Sequence, residues 1–141
     1  MPKADFYLID KPRFRAQPLL LVCELARMAF DRQIPTLIHC RSREQADLLD
    51  ELLWEFDPDA FLPHQTAGDG EDDDITPIVL VPPEADSPMR PLVINLRDAC
   101  VPIGADNVKE IVAADSAERE GSRARWKEYA ARGYQLTKVD M

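Results

Sequence analysis

The chain predicts a three-layer α/β/α sandwich with a mostly parallel sheet, a mixed sheet being the variant. Three observations carry that expectation: strand-like and helix-like segments alternate, several apolar runs are continuous enough for strands covered on both faces, and the length fits one core. With 141 residues, 45% of them hydrophobic, the chain is sized to bury about two thirds of its unfolded surface in a single domain over residues 1–141.

Asp5 to Ile9 (DFYLI) reads as a short strand of aromatic and β-branched residues, and Pro18 to Gln33 as a helix whose apolar period runs through Leu21, Cys23, Leu25, Met28 and Ala29. Thr36 to Cys40 (TLIHC) is a second strand. Ser42 with Gln45 three residues on makes a capping box, which opens a helix to about Trp54 with Ala46, Leu49, Leu52 and Leu53 facing inward. An acidic stretch at about 68–76, with Asp69, Glu71, Asp72, Asp73 and Asp74 beside Gly68 and Gly70, predicts a flexible, solvated loop. Ile78 to Val81, Leu92 to Leu96 and Val108 to Ala113 follow as strands. Asp115 with Glu118 is a second cap, and Gly133 is placed to close that last helix, with Gly121 inside it as a point where the first turn loosens or kinks. The predicted order is therefore β-α-β-α-β-β-β-α.

Several functions are disfavoured by what these elements carry. The turn after the first strand, Asp10 to Arg15, contains neither GxGxxG nor GxxxxGK[ST], so no backbone cradle for phosphate is expected, and no cofactor. His39 and Cys40 are neighbours, but adjacent strand residues point to opposite faces and do not form a nucleophile and base pair. His64, after Pro63 in a loop, suits a structural hydrogen bond better than acid or base work. Cys23, Cys40 and Cys100 are odd in number and scattered through apolar runs, which predicts reduced, packed thiols and no metal site. No run of about 18 apolar residues is present, and the N-terminus lacks a signal-like apolar stretch, so a cytoplasmic protein without a membrane contact is expected. A formal net charge of -9 argues against a wide phosphate-tracking surface, leaving DNA contact local or indirect.

Against that acidic background, the last helix places Arg119, Arg123 and Lys127 at i, i+4 and i+8 with Trp126 beside them. At roughly 100° per residue these four fall within about a 100° arc. Three cations and an indole on one face suit an acidic peptide with an aromatic anchor. The alternative is a solvated surface stripe with Trp126 tucked into the core.

Longer segments carry a resemblance. Phe6-Tyr7-Leu8 with Asp10, Cys23-Glu24-Leu25-Ala26, Leu49-Asp50-Glu51 with Trp54, and Phe61-Leu62-Pro63-His64 followed by Ala67-Gly68 come in an order and spacing similar to the chi subunit of bacterial DNA polymerase III. Arg123-Ala124-Arg125-Trp126-Lys127, Tyr129 and Gly133-Tyr134 resemble its final helix. The resemblance covers nearly the whole chain and is weakest from Asp69 to about Asn107. It implies a non-catalytic accessory subunit of a DNA-directed DNA polymerase complex, acting in DNA replication within the clamp-loader assembly. It further implies a partner, the acidic C-terminal tail of single-stranded-DNA-binding protein, which ends in an aromatic residue and a free carboxylate. Arg123 and Lys127 would pair with its carboxylates, Arg119 would add longer-range attraction, and Trp126 with Val112 would wall a pocket for the terminal ring, with Ala130 leaving room. A second implied contact is a psi-like subunit of the clamp loader, received by Trp54, Phe61 and Pro63; a helicase-like repair protein is the alternative occupant of that face. Outside this family the alternatives are a small nucleic-acid-binding module and an α/β enzyme of unknown substrate.

Overall fold

A computed structural model of the protein describes residues 2–56, 62–68 and 76–141. Its elements run β1 (Lys3–Leu8), α1 (Pro12–Ala16), α2 (Leu19–Asp31), β2 (Thr36–His39), α3 (Arg43–Glu55), β3 (His64–Thr66), β4 (Ile78–Val81), β5 (Leu92–Asn95), β6 (Asn107–Val112), α4 (Ser116–Ala131) and β7 (Gln135–Asp140). Among the described residues seven strands form one sheet in the order β3-β4-β2-β5-β6-β1-β7, and every pairing is parallel. Phe61 and the acidic residues Asp69 to Asp74 lie outside the described residues.

The crossovers that return the chain to each parallel strand cover both faces of the sheet, so its central strands have no side turned to water. Every residue of β2, β4 and β5 is buried, as strands covered on both faces must be. One face carries α1, α2 and α3 over a core that includes Ile9, Phe14, Leu21, Ile38, Leu49 and Leu80. The opposite face carries α4 over Phe6, Leu37, Val79, Val93, Val108 and Val112. Ile38 and Cys40 lie in the first core and Leu37 in the second, so His39 and Cys40 point to opposite sides of the sheet.

Helix starts follow the capping chemistry. The Ser42 hydroxyl accepts from the Gln45 backbone N–H at 3.1 Å, while the Gln45 side chain takes the Arg41 N–H at 2.7 Å. Asp115 accepts from the N–H groups of Ala117 and Glu118 at 2.7 and 3.1 Å. Gly133 ends α4 with φ 84°, where Tyr134 N–H reaches back to the Tyr129 carbonyl at 3.1 Å. Gly121 does not interrupt α4, which is one helix from Ser116 to Ala131.

Other expectations differ from the structure. Three elements, α1, β3 and β7, add to the predicted order, and His64 sits in a strand rather than a loop. Met28 is 52% exposed, because the last turns of α2 overhang an open cleft bordered by Pro91 and Asn107 at the start of β5 and β6. Cys23 and Cys40 are buried, whereas Cys100 is only half-buried. No described helix is long and apolar enough to cross a membrane.

Candidate functional site

The position of α4 is fixed from below by a buried polar network. Glu110 on β6 is completely buried, and its carboxylate accepts from Arg125 Nε at 2.9 Å, Tyr129 Oη at 2.7 Å and Asn95 Nδ2 at 2.7 Å. Burial pushes the Glu110 carboxyl up, while the Asn95, Tyr129 and Arg125 donors pull it back. Tyr129 also accepts the Val101 N–H at 2.8 Å, and Arg125 reaches the Asp98 carbonyl at 3.2 Å. Burial beside Glu110 raises the phenol of Tyr129 far above its ordinary value, so it acts as a neutral donor. Two residues of α4 one turn apart are thus tied into the sheet, which turns the faces between them outward.

Aromatic packing extends the clamp. Phe6 on β1 meets Trp126 edge-on at 5.1 Å between ring centroids and Tyr129 at 6.0 Å. Such pairs contribute roughly 0.5–1.5 kcal/mol each beyond the area they bury. Trp126 keeps one side half-open beside a groove of about 410 Å³ lined by Phe6, Leu8, Arg119, Ser122, Arg123, Trp126, Lys127 and Lys138. All four helix residues singled out by spacing, Arg119, Arg123, Trp126 and Lys127, line this one groove.

The strand side of the groove was not legible in the sequence. Phe6 and Leu8 of β1 provide the apolar floor and Lys138 of β7 a fourth cation, with Phe6 and Lys138 directly opposite in the parallel register. Val112, expected as a wall, is completely buried and does not line the groove; its register partner on β1, Leu8, does. Ala130 is exposed on α4 but also lies outside the lining.

The cations are differently placed for a ligand. Arg119 donates weakly to the Ile9 carbonyl at 3.4 Å, which holds it along the rim. Glu118 is drawn away by Arg41 at 3.1 Å and Glu128 by Arg132 at 2.6 Å. Among the described residues, Arg123, Lys127 and Lys138 have no carboxylate partner, so the groove carries uncompensated positive charge in a protein of net charge -9. An apolar floor with an indole wall and three free cations can take an anion joined to an aromatic group. Among the described residues no cluster of His, Cys, Asp or Glu is grouped as metal ligands.

The second expected surface is partly described. Trp54 on α3 is 53% exposed and its ring lies 4.8 Å from that of His64. His64 Nδ1 is 2.7 Å from the Leu62 carbonyl and Nε2 is 3.0 Å from Asp50 Oδ1, a structural role that braces the Trp54 ring. Pro63 is half-buried beside it.

Comparison with known proteins points to one family. The family model described as DNA polymerase III chi subunit, HolC, matches residues 1–137. The DNA polymerase III subunit chi of Pseudomonas aeruginosa is 33% identical over 139 residues, spanning 96% of this chain and 94% of its own. That of Escherichia coli is 29% identical over 141 residues, spanning 96% of each chain. That of Haemophilus influenzae is 31% identical over 121 residues, spanning 83% of each. A solved structure of the C-terminal domain of the DEAD-box protein Dbp5 superposes with a TM-score of 0.66 at 13% identity, covering 99% of this chain and 90% of that one, a likeness of fold alone.

Proposed function

Since the chain belongs to the DNA polymerase III chi subunit family, and so acts in DNA replication, we propose that it is a non-catalytic, cytoplasmic adaptor whose α4 groove binds the acidic C-terminal tail of single-stranded-DNA-binding protein. The observation that carries this reading is the groove itself: Arg123, Lys127 and Lys138, without carboxylate partners among the described residues, surround an apolar floor of Phe6 and Leu8 walled by Trp126. A free terminal carboxylate and nearby aspartates neutralise the cations, and the terminal ring takes the floor. On the other side of the sheet Trp54, with Pro63 and the undescribed Phe61, is proposed to receive a psi-like subunit of the clamp loader. A bridge between the loader and protein-coated single-stranded DNA needs two such faces, and contact with DNA is then indirect.

Calorimetric titration with a peptide of that C-terminal tail tests the reading, with a bare oligonucleotide as the arm for a nucleic-acid-binding module. Charge-assisted hydrogen bonds contribute roughly 1.5–3 kcal/mol each, so Arg123→Ala should weaken peptide binding about 10- to 150-fold and flatten its salt dependence. Trp126→Ala should weaken it comparably and leave the salt dependence nearly unchanged. Wild-type affinity in Arg123→Ala, or tighter binding of the oligonucleotide than of the peptide, would overturn the proposal.

A further inference from the structure

A second groove lies on the other side of the sheet, where α3 passes the turn between α1 and α2. It has a volume of about 350 Å³, and its walls include Pro18, Leu19, Leu48, Glu51, Leu52 and Glu55. Leu48 is 58% exposed, and with the partly buried Leu52 and Leu19 it forms the apolar part of the groove on a helix whose other face packs in the core. Leu48 and Leu52 lie one turn apart and point more than 100° away from Trp54 around the helix, so the apolar stripe of this groove is distinct from the Trp54 face, which it adjoins at Glu51, about 60° from Trp54.

The charge on this face is one-sided. Asp47, Glu51 and Glu55 follow at i, i+4 and i+8, a spacing at which like charges repel. Arg43 pairs with Asp47 at 3.5 Å, but Glu51 and Glu55 have no cation partner among the described residues, and no cation lines the groove. Glu55 occupies the last turn of α3, the end at which the helix dipole favours cations. These acids therefore work against the stability of the helix that bears them. A ligand that brings positive charge to both sides of an apolar stripe would relieve the repulsion and cover Leu48 at once.

We propose that this groove is a further docking surface, for a basic amphipathic helix of a protein partner. The helix lays apolar residues on Leu48, Leu52 and Leu19 and sets lysines or arginines against Glu51 and Glu55. Acidic tails, oligonucleotides and anionic membranes are repelled here by the same carboxylates that attract the helix. Because α3 and α4 lie on opposite faces of the sheet, both grooves can be filled together. The proposal does not depend on what the α4 groove binds.

The test uses a fluorescent peptide of about 18 residues with leucine on one helical face and lysine on the other, its binding to the full chain followed by anisotropy. Leu48→Ser should weaken binding at least about 10-fold, and Glu51→Gln with Glu55→Gln at least about 5-fold with a flatter salt dependence. All three positions are exposed, and thermal melts check that the variants remain folded. Arg123→Ala, on the far side of the sheet, should bind like the wild type. Unchanged affinity in either α3 variant, weakened affinity in Arg123→Ala, or equal binding of a leucine and glutamate peptide of the same pattern would overturn the proposal.

Discussion

Replacing Arg125 with methionine should cost the folded protein about 3–5 kcal/mol, because it keeps the apolar stem and removes the charge that faces a buried carboxylate. The side chain of Glu110 is completely buried and that of Arg125 is 7% exposed, with 2.9 Å between Nε and Oε1. Without the guanidinium, Glu110 keeps only its bonds to Asn95 and Tyr129, at 2.7 Å each, and the Asp98 carbonyl loses its donor. The carboxylate then has desolvation to bear and no cation nearby, so its pKa in the folded variant moves further above the ordinary 4.5. A group with a raised folded pKa contributes stability that is present below the unfolded value and is lost as pH rises through the folded one. The deficit of Arg125→Met should therefore shrink from pH 8 towards pH 5. The double variant Glu110→Gln with Arg125→Met removes both charges while the amide oxygen still accepts from Asn95 and Tyr129, and it should recover part of the loss, since the uncompensated buried charge is gone. Urea unfolding followed by circular dichroism at several pH values checks all three statements. A single variant within about 1 kcal/mol of wild type, or a double variant no better than the single, would show that the pair does not hold α4 to the sheet.

Two further outcomes follow from the same interior. Burial, with Arg97 nearby, holds His39 down to about 4 from 6.5, so its neutral form is part of the fold. Stability attached to it is present above 6.5 and lost as pH falls towards 4, by up to about 3 kcal/mol; His39→Asn should flatten that slope in urea midpoints taken at pH 7, 5.5 and 4.5. Gly121→Ala should raise the melting temperature, stabilising by about 0.5–1 kcal/mol, because the residue is helical and a methyl there would meet only Arg125 Nη1, at an ordinary 3.5 Å. A lower melting temperature would mean that Arg125 needs that space.

The fold was legible where the chain's own pattern matches its surroundings. Thr36–Cys40, Ile78–Val81 and Leu92–Leu96 read as strands because both their faces are covered, which makes them continuous apolar runs. Ser42 and Asp115 marked the helix starts because capping is local chemistry. The edges were harder. In β7 the half-buried residues are Leu136 and Val139, three apart, because an edge strand is covered unevenly and loses the period of two. β3 has three residues, and α1 buries only Phe14, so neither has a period to detect. Met28 obeys the helical period, yet the period reports direction and not whether anything lies opposite.

The same division runs through the α4 groove. Its helix wall could be read because Arg119, Arg123, Trp126 and Lys127 are set by the fixed geometry of one helix. Its strand wall joins Phe6 and Leu8 to Lys138, more than a hundred residues away, through the register of β1 with β7, and no local pattern encodes that register. The expected wall, Val112, misses by one strand. β6 is flanked by β5 and β1, and Val112 is wholly enclosed, so the opening falls over β1 and the edge strand. That displacement has a chemical consequence: an enclosed valine could add only apolar surface, whereas the edge strand brings Lys138. A ligand lying between α4 and β7 therefore meets positive charge on both sides of its aromatic anchor, and a single helical stripe could not have provided that.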